Sequence, residues 1–279
     1  DVYKRQVDAS VDISTGIAGT VSLDAKTGKL EMAGTANVEA TSSTARLWAE
    51  RDVTVGNLTA TNVSIGSTSG AIINAAGSSK NVTAANLRLE AQGSIGVADR
   101  HLTTDIDTVS AHAATGSVYI TEDDGAIVTS VRTSVTDFNS DATTSGVTDT
   151  AQSDLTTGLN GNIVLVATLG DITLNDGDAL VDQTGGDGRS TNGTAVDANG
   201  TGSILITAVA GTVTGNADIY SGTGHITVKA HVNVALTEDV DVKTTTGGTV
   251  SIDAATGTLT MHGSATVEAT SSTARLWAE

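Results

Sequence analysis

The segment GNIVLVATLGDITLNDG, residues 161–177, contains the pattern that decides the fold. Ile163 and Leu165, and then Ile172 and Leu174, are apolar residues separated by one residue, which is the period of a strand with one buried face. Gly, Asn and Asp punctuate the pattern and mark turns. The same pattern recurs in GSILITAVAGTVTG (202–215), GHITVKA (224–230) and GTVSIDAATGTLTM (248–261). The chain is therefore predicted to consist of many short strands joined by turns.

The composition indicates how such strands are packed. No window shows a sustained 3.6-residue apolar stripe, so helices are not expected. A turn of two or three short strands cannot bury its apolar face alone, whereas stacked turns bury a continuous narrow core. We therefore predict an all-β parallel β-helix (solenoid) of stacked short-strand coils. A β-sandwich array is the rival, but it would place Trp or Tyr in each core, and the only tryptophans are Trp48 and Trp277.

A long internal repeat is superimposed on the short one. A shift of 229 residues aligns residues 11–50 with residues 240–279 without a gap, and 28 of the 40 positions are identical. The eleven residues ATSSTARLWAE occur unchanged in both copies, at 40–50 and 269–279. Tandem duplication within a longer array produces this pattern.

The two ends and two polar stretches complete the predicted organisation. Residues 1–6, DVYKRQ, match a translated sequencing-adapter end; we interpret them as a read-through artefact and do not expect them to belong to the fold. Residues 7–279 are expected to form one continuous β-helix region, as an internal slice of a larger protein. Polar, turn-rich segments near 137–161 and 182–202 are predicted to be loops, where a rigid fold usually carries its specificity.

Charge and residue usage exclude several classes of function. The formal net charge is −18, which opposes binding to nucleic acid or to an anionic lipid surface. No apolar run reaches the length of a membrane span, so membrane insertion is not expected. Cysteine is absent, which excludes a disulfide framework and a thiolate metal site.

We predict no catalytic, cofactor or metal site from the reactive residue types of the sequence. The acidic turn at Glu122, Asp123 and Asp124 is the candidate for calcium or acid–base chemistry, and a solvated turn is the favoured interpretation. Asp176 and Asp178 form a second acidic pair, and GGDGRS (185–190) only partly matches a calcium-binding repeat. The five histidines are interpreted as isolated surface residues; they are His101, His112, His225, His231 and His262.

The tryptophans are the candidates for a contact surface. Strand alternation in ATSSTARLWAE turns Ala45 and Leu47 inward and Arg46 and Trp48 outward. Exposed aromatics mark recognition sites, so Trp48 and Trp277 could contact a ligand. The favoured interpretation is that Trp48 stacks on a neighbouring coil.

The segments LRLEAQGSIGVADRHLTTDIDTVSAHAATGSVYITEDDG (87–125) and GNIVLVATLGDITLNDG resemble the repeats of filamentous haemagglutinin-type bacterial exoproteins. That resemblance implies a right-handed parallel β-helix, secretion or cell-surface location, and an outer-membrane transporter as partner. It also implies adhesion, with a host or cell-surface glycan or protein as ligand. We therefore expect a non-catalytic stalk segment of an adhesin. The alternative is a β-helical carbohydrate-active enzyme or its accessory repeats, and a calcium-stiffened repeat module is a third possibility.

Overall fold

The computed structural model describes residues 4–177 and 193–279, and within these ranges every regular element is a strand. The ten strands up to Ala113 are β1 (Lys4–Val7), β2 (Asp12–Thr15), β3 (Val21–Ala25), β4 (Lys29–Met32), β5 (Asn37–Ala49), β6 (Val53–Val55), β7 (Asn57–Ser67), β8 (Ile72–Asn74), β9 (Val82–Ala91) and β10 (Leu102–Ala113). The strands that follow are β11 (Val118–Glu122), β12 (Ala126–Val128), β13 (Ser134–Phe138), β14 (Thr144–Thr148), β15 (Leu155–Thr157), β16 (Ile163–Ala167), β17 (Ile172–Leu174), β18 (Thr194–Ala198), β19 (Ile204–Ala208), β20 (Val213–Gly215), β21 (Asp218–Ser221), β22 (Ile226–Ala230), β23 (Val234–Leu236), β24 (Asp241–Thr244), β25 (Val250–Ala254), β26 (Leu259–Met261), β27 (Thr266–Ala269) and β28 (Ala274–Ala278). The all-β prediction is confirmed.

Nearly all pairing between these strands is parallel, with the β13–β14 hairpin as the antiparallel exception. In the C-terminal half each strand pairs with the third strand after it, which produces three rows. The rows are β16–β19–β22–β25–β28, β17–β20–β23–β26 and β15–β18–β21–β24–β27. Together with β2, β3, β5, β7 and β9 to β12 they form a parallel sheet that curls until it is nearly closed around one hydrophobic core. The other four N-terminal strands, β1, β4, β6 and β8, form a separate parallel sheet.

Like residues stack on like through the core. Ile163 pairs with Ile204, which pairs with Ile226, and then Val250 follows. These four side chains are at most 2 % exposed. The register step is 22 residues from Ile204 to Ile226 and 24 residues from there to Val250. Aliphatic and β-branched side chains fill such a pleated, buried face well, which explains a core with few aromatics.

Stacked glycines explain why so many of the repeated sequence segments begin with glycine. A Cβ at Gly202 would lie 2.0 Å from the carbonyl oxygen of Gly161, and one at Gly224 would lie 1.9 Å from that of Gly202. Gly248 repeats the contact at 2.0 Å from the carbonyl oxygen of Gly224. Only glycine permits the backbones of successive turns to approach this closely.

The rows are redistributed at β10. Along one edge this long strand pairs with β9, and along the other it pairs in succession with β11, β12 and β15. As a result, the row that starts at β2 continues through β5, β7, β9, β10, β11 and β16 to β25. In the duplicated segment β25 is the counterpart of β3, yet β25 lies in the row that starts at β2. The two copies therefore form equivalent strands that lie in different rows.

Three boundaries differ from the sequence-based expectation. Residues 4–6 belong to β1, where Lys4–Val7 pairs with Lys29–Met32, so these residues take part in the fold whatever their origin. The first polar stretch ends in strand β15 and the second contains strand β18, both within the rows. Those loops were predicted too long because inward positions held by Thr and Ala gave no apolar signal. Residues 182–192 lie outside the described residues.

Candidate functional site

Residues 129–154 leave the rows between β12 and β15 and fold back across the outer face of β10, β9, β7, β5 and β3. We call this segment the strap; it contains the β13–β14 hairpin, and an antiparallel bridge between Val131 and Gln152 closes its base. Near its tip, Thr136 N donates to Thr20 Oγ1 at 3.1 Å. Crossing four strand spacings carries it roughly 19 Å along the stack.

A buried ion pair fastens the middle of the strap. Arg46, on the outer face of β5, donates from Nε to Asp149 Oδ1 and Oδ2 at 3.0 and 3.2 Å. Thr133 Oγ1 also donates to this carboxylate, at 3.1 Å. The side chains of Arg46 and Asp149 are only 11 % and 6 % exposed. Because removing one partner leaves the other charge buried, this pair sets the position of the strap.

Trp48 lies beside this ion pair. The Arg46 guanidinium carbon is 4.4 Å from the centroid of its ring, within the range of a cation–π contact. The ring lies against Gly66 of β7, and its Nε1 donates to Thr68 Oγ1 at 3.2 Å. Trp48 therefore lies against the neighbouring strand β7. Trp277, the equivalent residue on β28, is 50 % exposed. The guanidinium carbon of Arg275 lies 5.4 Å from the centroid of the Trp277 ring.

A cavity of about 230 Å³ lies under the strap, between it and the outer faces of β9, β10 and β15. Its lining is polar and consists of Arg88, Glu90, His112, Thr150, Ala151, Gln152, Ser153 and Thr156. Strand register places Glu90 beside His112 and His112 beside Thr156. The residues therefore converge from three strands and from the strap, although they are far apart in sequence.

Arg88 is the most deeply buried charge in the cavity, at 4 % exposure. Its Nε donates to the carbonyl oxygen of Thr150 at 2.9 Å, and its Nη2 donates to Glu90 Oε2 at 2.7 Å. Its Nη1 is buried and has no hydrogen-bond partner. Buried polar atoms nearly always have a partner, so this nitrogen distinguishes the cavity.

His112 forms the opposite wall. Its Nδ1 is 2.7 Å from Thr156 Oγ1. Burial lowers the pKa of His112, the nearby Glu90 carboxylate acts against that shift, and the Arg88 guanidinium reinforces it. His112 is thus a neutral hydrogen-bonding group at pH 7. The interpretation of all histidines as isolated surface residues was wrong here, because the sequence does not reveal the strap that covers His112.

The acidic turn is built differently from the sequence-based grouping. Glu122 and Asp124 meet Asp105 of β10, with one carboxylate oxygen of each within 4.8 Å of the others. Asp123 faces away and forms an ion pair with Lys80 Nζ at 2.7 Å. Within the described part of the chain, the only group of three or more potential metal-ligating residues therefore contains Asp105 and not Asp123.

Glu122 is fully buried within this acidic group. Burial raises the pKa of Glu122 to about 7, although hydrogen bonds from Thr104 and from the backbone of Ile106, Asp123 and Asp124 oppose the shift. Ile106 N donates to Glu122 Oε1 at 3.0 Å. A carboxyl group near pKa 7 can exchange a proton with its neighbours at neutral pH. Asp105 also lines an open groove of about 340 Å³ that runs past Thr59 and Thr83.

The remaining sequence candidates are scattered. His225 and His231 flank β22, and His225 Nδ1 lies 2.9 Å from Thr249 Oγ1. Asp176 follows β17, whereas Asp178 and residues 185–190 lie outside the described residues.

Sequence reasoning missed Arg88 and Glu90, the two charged residues of the strap cavity. They alternate with the inward Leu87 and Leu89, which marks them as outward residues of β9. Their convergence with His112 follows from a 22-residue register step that the sequence could have suggested. The covering strap left no such periodic signal.

The chain matches no protein-family model, no curated protein and no solved structure among those compared with it. In addition, the described residues contain no helix that is long and apolar enough to cross a membrane.

Proposed function

We propose that this chain is a right-handed parallel β-helix that serves as a stalk segment of a secreted or cell-surface bacterial adhesin. The observation that carries the proposal is the unbroken parallel row that runs from β3 to β27 through ten strands. Ten strands at the usual sheet spacing span roughly 45 Å. Each strand contacts mainly its neighbours in the row, which is how repeat proteins build long, stiff rods.

The long repeat supports the same proposal. Asp12 pairs with Asn37 in the first copy, and Asp241 pairs with Thr266 at the equivalent positions of the second. Because the duplicated segment forms the same pairs at both ends, copies can be added without changing the cross-section. Adding copies changes the length of the rod, which is the property that matters for a stalk. Its ligand would be a host or cell-surface glycan or protein, and its export partner an outer-membrane transporter.

A long-read sequence through the coding locus tests this proposal. We expect a reading frame of thousands of residues with a signal peptide, further 229-residue units and an adjacent transporter gene. A short frame that ends in a catalytic domain would contradict it. Small-angle X-ray scattering of the chain is a second test, because a stalk must give the cross-section and length of a rod.

A second candidate is a β-helical carbohydrate-active enzyme or its accessory region. The observation that favours it is the acidic group of Asp105, Glu122 and Asp124 beside the open groove, because a carboxyl group whose pKa is raised, as that of Glu122 is, can act as a general acid on sugars. The cation that contacts this group, Lys80, is held by Asp105 and Asp123. The test is to incubate the chain with a panel of polysaccharides and to measure the reducing ends released. Release by the natural chain that is lost in Glu122→Gln would support the enzyme hypothesis, whereas no release from any polysaccharide would exclude it.

A further inference from the structure

The strap cavity contains a charged donor that the protein itself does not satisfy. Arg88 is 4 % exposed, and Nη1, which carries two N–H groups, has no partner. Burying a charged donor without an acceptor costs free energy. The other two nitrogens of the guanidinium are held by Thr150 O and Glu90, so the group is fixed in orientation before anything binds.

The charges around Arg88 limit what can occupy the cavity. Glu90 already neutralises one edge of the guanidinium, and its carboxylate repels a second strongly negative group. His112 is neutral at pH 7 because burial lowers its pKa. The surroundings therefore suit a group with one negative charge better than a doubly charged phosphate. A single carboxylate oxygen can accept a charge-assisted hydrogen bond from Nη1.

The size and lining of the cavity narrow the class further. At about 230 Å³ it is smaller than the roughly 300–1,000 Å³ typical of sites for drug-sized ligands, and it has room for more than one water molecule. The wall is polar: Thr156 Oγ1 lies 2.7 Å from His112 Nδ1, and Gln152 Nε2 donates to the carbonyl oxygen of Leu89, which leaves the lone pairs of the Gln152 amide oxygen for a ligand hydroxyl. The Glu90 side chain is 42 % exposed, so the cavity communicates with solvent beside it. These features suit a small ligand that carries hydroxyl groups as well as a carboxylate.

We propose that the strap cavity is a binding site for a hydroxylated monocarboxylate of monosaccharide size, such as a uronic acid, with the carboxylate on Nη1 of Arg88. The inference goes beyond the stalk function and is independent of it. The strap supplies the roof of the site, and Thr150 O and Gln152 connect it to β9. Occupation of the cavity therefore ties the strap more firmly to the rows.

The experiment is a titration of the whole chain with glucuronate, followed by NMR of the arginine side-chain Nε–H signals and by calorimetry. We expect a dissociation constant on the order of 1 mM and a shift of the Arg88 signal. Glucose, which keeps the ring and hydroxyl groups but lacks the carboxylate, should bind at least roughly tenfold more weakly, because a hydrogen-bonded charge pair is lost. Acetate, which lacks the hydroxyl groups, should also bind more weakly.

Arg88→Gln should reduce glucuronate affinity at least roughly tenfold, whereas Arg275→Gln, on the exposed β28, should leave it unchanged. Glu90→Gln keeps Arg88 and removes the repelling carboxylate, so it should strengthen binding and keeps the proposal testable if Arg88→Gln fails to fold. The proposal is overturned if glucose or acetate binds as tightly as glucuronate, if phosphate binds more tightly, or if no ligand shifts the Arg88 signal, which would mean that water fills the cavity.

Discussion

Replacement of Glu122 by glutamine should make the protein more stable at alkaline pH and change little at acidic pH. Burial raises the pKa of Glu122 to about 7, against a value of 4.5 in the unfolded chain. Below pH 4.5 the carboxyl group is protonated in both states and contributes no pH dependence. Between these values the unfolded state releases a proton that the folded state retains, so stability falls as the pH rises.

The size of the effect follows from the shift. One pKa unit corresponds to about 1.36 kcal/mol, and the two pKa values differ by about 2.5 units, so the loss is about 3 kcal/mol and levels off above pH 7. Glutamine does not ionise; its carbonyl oxygen can still accept from Ile106 N, and its Nε2 can donate to the Thr104 hydroxyl oxygen. The free energy of unfolding of Glu122→Gln minus that of the natural chain should therefore increase by about 3 kcal/mol between pH 4.5 and pH 8.

Urea unfolding of both proteins at half-unit pH steps, in EDTA, measures this difference directly. Glu39→Gln is the matched control, because Glu39 is exposed and its replacement should shift the curve by the same small amount at every pH. Parallel stability curves for Glu122→Gln and the natural chain would refute the reasoning. Replacing EDTA by calcium tests the acidic group as a metal site, since a bound cation would favour the ionised glutamate and flatten the natural curve.

Two further changes test the strap and the tryptophan contact. Asp149→Ala leaves Arg46 buried without its counter-ion, which typically costs about 3–5 kcal/mol; we expect the strap to detach, seen as faster hydrogen exchange over residues 131–152 with the rows still protected. Gly66→Ala would place a Cβ 2.1 Å from Cζ3 of Trp48, so the ring should swing into solvent and its fluorescence should shift to the red, measured with Trp277→Phe as background. The expected cost of this overpacking is about 1–3 kcal/mol.

Matched variants separate these effects from general damage. Asp141→Ala removes an exposed strap carboxylate that accepts from Thr143 N, so it should speed hydrogen exchange at Thr143 and leave the rest of the strap unchanged. Arg46→Met combined with Asp149→Ala should restore protection by removing the unpaired charge. Gly146→Ala meets no atom within 4 Å and should leave the fluorescence unchanged. A strap that stays protected in Asp149→Ala, or a Trp48 emission that is the same in Gly66→Ala, would contradict the assignments.

The strands were predictable because their signal is local. The alternation of Ile163 and Leu165 with polar residues appears directly as the inward ladder of β16. Local patterns failed where burial came from elsewhere in the chain: β18 has the sequence TAVDA, yet all five of its residues are buried. Within the candidate site, the outward position of Arg88 was readable, but its enclosure was not.

The two identical copies of ATSSTARLWAE separate what the sequence determines from what the tertiary structure determines. The sequence by itself determined that both copies form strands and which side chains point outward, because alternation depends only on neighbours in the chain. The tertiary structure decided what those side chains meet. The Arg46 side chain is 11 % exposed and bound to Asp149, whereas the Arg275 side chain is 52 % exposed and lies 3.7 Å from Asp253. The difference arises because β5 is followed by β7 in its row and is covered by the strap, whereas β28 is the last strand of its row. Burial thus depends on atoms distant in sequence.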